Sequence, residues 1–133
     1  MKVLFDLNVL LDVMQQREQF YEASAAALSR SLNGDCLGII PGHAVTTLHY
    51  LLMRYVNKQK ADESVDFMLD NFTVANAETE TFRYARQLRM KDFEDAVVAA
   101  IAAKAKCDAI VTRNIADFRQ SPVEALLPEE FQL

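Results

Sequence analysis

Three short segments carry carboxylates of a kind and spacing that metal-assisted hydrolysis could use. FDLNVLLD puts Asp6 at the end of an apolar run, with Asn8 two residues on. KDFEDAVVAAIA gathers Asp92, Glu94 and Asp95 ahead of an unusually apolar stretch. IVTRNIADF follows the apolar piece DAIV with Thr112, Arg113, Asn114 and Asp117. Ionised carboxylates are hard oxygen ligands suited to Mg²⁺ or Mn²⁺. On this reading Asp6, Asp95 and Asp117 are candidate ligands. Asn114 adds a neutral oxygen, Asn8 orients Asp6, the Thr112 hydroxyl fixes a carboxylate, and Arg113 meets a phosphate.

Each segment also has a reading that needs no catalysis. Asp6 suits the cap of a following helix. Asp92 is placed as an N-cap with Asp95 three residues later, so capping and the helix dipole account for both. Asn114 and Asp117 suit an ordinary Asx turn. Glu94 projects about 100° around the helix from Asp95 and is expected to be solvated or paired with Lys91 or Arg89. Shared chemistry is favoured by placement, because the acids of all three segments fall where strand ends would meet. Carboxylates crowded into one pocket repel one another unless a cation neutralises them.

The elements that must position these residues follow from hydrophobic period and turn signals. Strands are expected over 2–5, 36–40, 72–75 and 109–111, with a short extended piece over 123–126. Helices are expected over 7–14, 20–32 (ended by Asn33-Gly34), 43–56 (after Pro41-Gly42), 60–71, 78–90 and 92–106. A last turn opens at Pro128. The helix over 92–106 contains AVVAAIAA, apolar on nearly all sides, and is expected to be buried against a sheet. Strands alternating with helices imply a three-layer α/β/α fold with a mainly parallel sheet of four to five short strands. Ligands of such folds bind at the carboxyl ends of the strands.

Composition narrows the classes. A chain of 133 residues with 51% hydrophobic side chains is expected to form one globular domain over 1–133. The net charge of −5 opposes a protein that grips nucleic acid over its whole surface. It is compatible with acids concentrated in a metal pocket and basic residues, Arg86, Arg89 and Arg113, at its rim. Cys36 and Cys107 lack metal or redox spacing, and His43 and His49 lack a third zinc ligand. No run is long enough to span a bilayer, so a cytoplasmic protein is expected. The phosphate loops GxGxxG and GxxxxGK[ST] are absent. A receiver-like phosphoacceptor would need adjacent acids after the first strand, whereas Asp6 is flanked by Phe5 and Leu7.

FDLNVLLD, IIPGHAVTTLHYLL and DFEDAVVAAIAAKAKCDAIVTRNIADF, in that order, resemble the PIN-domain family, which includes the VapC-like ribonuclease toxins of type II toxin-antitoxin pairs. The last segment is the most specific. The resemblance implies a Mg²⁺- or Mn²⁺-dependent ribonuclease with Asp6, Asp95 and Asp117, and Asn114 alongside, at the family's acidic positions. It also implies an antitoxin partner lying over the acidic pocket and a homodimer. Thr47, with Thr46 beside it, stands where many members carry a Glu on the middle helix. Glu94 or Asp92 would have to compensate. The alternative is a PIN fold with impaired metal chemistry that binds RNA or a protein partner.

Overall fold

Side chains alternate across a strand, so Val3 and Phe5 of β1 (Lys2–Phe5) enter one core and Leu4 enters another. That split organises the computed structural model, which describes residues 1–132. β1 is flanked on one side by β2 (Leu37–Pro41) and then β3 (Thr73–Ala75). On the other side lie β4 (Ala109–Val111) and then β5 (Ala125–Leu126). All pairings are parallel, with Leu4 opposite both Ile39 and Ile110.

Four helices cover the first face: α1 (Leu7–Met14), α2 (Tyr21–Leu32), α3 (Gly42–Tyr55) and α4 (Lys58–Asn71). Leu10, Leu28, Leu48 and Met68 meet Phe5 there, and Phe131 joins them from a 3₁₀ turn over Pro128–Phe131. α5 (Thr79–Gln87) and α6 (Phe93–Lys104) cover the other face, where Ala85, Val98 and Ile101 meet Leu4 and Ile110. Buried residues run unbroken from Ala96 to Ala102, because α6 is sandwiched between α5 and the sheet and its small side chains let it lie close. The fold is thus the three-layer α/β/α arrangement implied by the alternating pattern.

Where the expected boundaries shift, a backbone cause is visible. α5 stops at Gln87 rather than at 90, since Arg89 adopts φ 57, a left-handed conformation that no helix continues through. Pro41 is the last residue of β2 and caps α3; its φ of −73 matches the value that the ring imposes. Gly34, φ 84, turns the chain after α2, as Asn33-Gly34 leads one to expect. Among the described residues no helix is long and apolar enough to cross a membrane.

Candidate active site

In this strand order the chain leaves β1 in one direction through β2 and reaches β4 on the other side, so a crevice opens between the carboxyl ends of β1 and β4. Asp6 stands there, immediately after β1, and is only 7% exposed. Its Oδ1 accepts the Leu7 amide at 2.8 Å, which caps α1. Its Oδ2 accepts the Thr112 hydroxyl at 2.8 Å and the Asn8 amide at 3.4 Å. Thr112, fully buried, begins the loop after β4, so this bond ties the two strand ends together. Asn8 also donates to the Thr112 hydroxyl oxygen at 3.3 Å and accepts the Arg113 amide at 3.2 Å. Asp6 therefore caps a helix and sits at the centre of the crevice. Burial pushes its carboxyl up; the Thr112 and Leu7 bonds pull it down, and the charges of Glu94 and His43 act in opposite senses.

The second and third acidic segments close on the same place. Exposed Asp92 is the N-cap of α6, accepting the Asp95 amide at 3.0 Å, which leaves the Asp95 side chain free of capping. Half-buried Asp95 is pushed up to about 7, first by burial and then by the charges of Asp6, Asp92, Asp117 and Glu94. Asp117 lies in a 3₁₀ turn over Ile115–Phe118. Its amide donates to the Asn114 carbonyl at 3.0 Å, and the Asn114 amide donates to the Thr112 hydroxyl oxygen at 3.1 Å. The exposed Asn114 side chain makes no hydrogen bond among the described residues. The donor set is hard oxygen and mutually repulsive, which suits a divalent cation. It is no ready-made cage: among the described residues, no three His, Cys, Asp or Glu side chains are arranged to enclose an ion.

Two expectations are corrected, the role of Arg113 and the make-up of the basic rim. Arg113, read as a phosphate contact, is committed to Asp12: Nε and Nη2 donate to its carboxylate at 2.7 and 3.0 Å. Asp12 is 0% exposed, and a buried carboxylate demands a countercharge more strongly than a solvated phosphate does. Glu94, expected to be solvated or paired with Lys91 or Arg89, is exposed and makes no ion pair among the described residues. It lines a cleft of about 430 Å³ with His43 and Thr47. The basic rim is also recomposed. Arg89, Lys91 and Arg119, without Arg86 or Arg113, surround a cleft of about 380 Å³ that includes Asp117. Sequence reasoning missed Asp12 and set His43 aside for want of a third zinc ligand. His43 was legible in principle, because it stands two residues past the end of β2, a strand end like the others.

The raised Asp95 carboxyl has a pH signature. A raised carboxyl means that the folded chain keeps a proton that the unfolded chain, near 3.8, has released. In chelator, this group's contribution to stability is therefore present below that value and lost as pH rises through about 7, with no further change above. Melting temperatures of the protein and of Asp95→Asn, followed from pH 4 to 8, are expected to diverge in favour of the Asn variant as pH rises. Parallel curves would show that neither burial nor the neighbouring acids raise the Asp95 carboxyl.

Comparison with known proteins bears on this geometry. A family model described as PIN domain matches residues 2–116. Ribonuclease VapC1 of Aquifex aeolicus (strain VF5) is 26% identical over 135 residues, covering 98% of this chain and 92% of that protein. The solved VapBC2 of Rickettsia felis, bound to a DNA fragment from its promoter, superposes with a TM-score of 0.75 at 16% identity over 95% of this chain and 98% of that one. A toxin-antitoxin complex from Klebsiella pneumoniae does so with a TM-score of 0.73 at 22% identity over 96% and 98%. At such identities the structural matches speak to the fold.

Proposed function

Because the chain belongs to the PIN domain family, we propose that it is a metal-dependent endoribonuclease, the toxin of a type II toxin-antitoxin pair, acting as one domain over 1–133. The observation that carries the reading is the Thr112–Asp6 hydrogen bond that joins the ends of β1 and β4, with half-buried Asp95 at the start of α6 within electrostatic reach of Asp6 and Asp117. The ribonuclease name of the Aquifex aeolicus relative supports RNA as the substrate, and the toxin-antitoxin complexes support an antitoxin partner.

Asp6, Asp95 and Asp117 would hold Mg²⁺ or Mn²⁺, with Asn114 nearby. The chemistry such an ion supplies when bound is stabilisation of charge on the phosphate and a lowered pKa for water. The chain's own part is orientation. Thr112 and Asn8 hold Asp6 in one rotamer, and Asp92 fixes the first turn of α6 on which Asp95 stands. Arg89, Lys91 and Arg119 offer positive charge beside Asp117, where an RNA backbone leaving the crevice would need it. A homodimer would use helical faces such as the exposed Tyr50 and Met53 of α3.

A second reading, a PIN fold that binds RNA or a protein partner with weakened metal chemistry, is favoured by Thr47 and by the open spacing of the acids. One experiment separates the two. Purified protein incubated with structured RNAs is expected to cut them in Mn²⁺ and not in chelator. No cutting by the protein, together with a large gain in Mn²⁺ affinity and cutting in Thr47→Glu, would hand the case to the second reading.

A further inference from the structure

The cleft that holds Thr47 is built like a site for a flat, polar-edged ring. Phe82 on α5 and Phe93 at the start of α6 meet across it with ring centroids 6.4 Å apart and planes 30° from parallel. They remain 44% and 49% exposed, although the chain has two large cores in which to bury phenyl rings. A stacked pair left open to solvent presents an aromatic face to which another ring can add. Polar groups stand around it: Asn76, Thr47, His43 and Glu94. Asn76 is seated over Gly42, where any Cβ would collide with its amide oxygen, so the glycine holds open the position of that amide at the cleft edge. The cleft adjoins the carboxylates, because Glu94 in its wall is within electrostatic reach of both Asp6 and Asp95.

We propose that this cleft receives one unstacked nucleobase of the RNA, stacked on Phe93 and Phe82 and read at its edge by Asn76, Thr47 and Glu94. The choice of ligand rests on the ribonuclease reading. Single-stranded RNA is recognised by bases splayed onto aromatic side chains and hydrogen-bonded at their edges, and a strand engaged at the acids carries its neighbouring base past this opening. An apolar protein side chain would satisfy the rings and strand the amide and the carboxylate; a base satisfies both. Glu94 supplies only acceptors, so the base with adjacent ring N–H and amino donors, guanine, is preferred over uracil.

Neutral nucleosides test this without phosphate, metal or turnover. Titration of guanosine into the protein, followed by NMR, is expected to shift the Phe82, Phe93, Asn76 and Thr47 resonances and to saturate at lower concentration than uridine. Phe93→Ala is expected to weaken guanosine binding by roughly five- to a hundredfold. Should Phe93→Ala disturb the amide spectrum, Phe93→Leu, which keeps an apolar side chain without a π face, serves in its place. Shifts that are absent, or that persist unchanged in both variants, overturn the base pocket. So does a cleft that answers only to a tryptophan-bearing peptide, which would mark it as a protein groove. Nucleoside binding without RNA cleavage would sink the ribonuclease reading alone; cleavage without nucleoside binding would sink the pocket alone.

Discussion

Asp6→Asn is expected to reduce Mn²⁺-dependent RNA cleavage at least about a hundredfold while leaving the fold intact. Disturbing a group that merely supports a metal ligand typically costs roughly 10–100-fold in affinity or activity, and removing a ligand's charge should cost no less. The substitution discriminates because Asn keeps the capping geometry. Its carbonyl oxygen still accepts the Leu7 amide, whereas its NH₂ replaces the oxygen that accepts from Thr112 and Asn8, so those two donors lose their partner. Burial already disfavours the charged form of Asp6, so a neutral side chain offsets part of the loss of those bonds and the change in melting temperature should be small. Calorimetric titration with Mn²⁺ alongside the cleavage assay gives both readouts. Undiminished cleavage by the variant would reduce Asp6 to a helix cap and dissolve the proposed centre.

The largest loss of stability is expected from Arg113→Ala. Asp12 is wholly buried, and besides the forked bonds from Arg113 it accepts the Ser24 hydroxyl at 2.9 Å, with Arg17 standing at 3.5 Å. The Arg113 guanidinium also lies over the Phe20 ring, 3.9 Å from its centroid. Deleting one partner of a buried ion pair leaves the other uncompensated, at a cost of about 3–5 kcal/mol. For a chain of this size that lowers the melting temperature by roughly 10 °C or more. Arg113→Lys should recover little, because an ammonium cannot reproduce the fork. Asp12→Leu combined with Arg113→Met should recover much of the loss, since paired apolar replacements leave no buried charge stranded, although the buried Ser24 hydroxyl loses its acceptor. Thermal melts of these variants decide it: a fall of only a degree or two in Arg113→Ala would mean that water already reaches Asp12.

What could be read in the sequence was whatever depends on near neighbours. Ala109–Val111 and the turn at Pro128 lie where period and proline placed them, and the strand ends that carry Asp6 and Thr112 meet, with Asp95 within electrostatic reach of Asp6 and Asp117. Contacts between remote positions were not legible. Asp12 and Arg113 are 101 residues apart, and no spacing rule links an acid inside an apolar helix to an arginine after the fourth strand. The neighbours of Glu94 across the cleft were hidden for a related reason. The direction of Glu94 was inferred from α6 as an isolated helix, whereas the first turn of α6 sits at the crevice with His43 and Thr47 of α3 across from it. Burial of a charge and its partner is a tertiary property, and the sequence alone supplies only the charge.

The strand order has a consequence for synthesis. β1 is made first, yet one of its two neighbours is β4, and Asp6 waits for the hydroxyl of Thr112, 106 residues later. While the nascent chain is on the ribosome, the middle of its sheet is a seam with one side open, and non-local parallel pairing of this kind closes slowly. The acidic crevice therefore comes into being among the last events of folding, so that a chain cut short before β4 carries Asp6 without the partner that orients it.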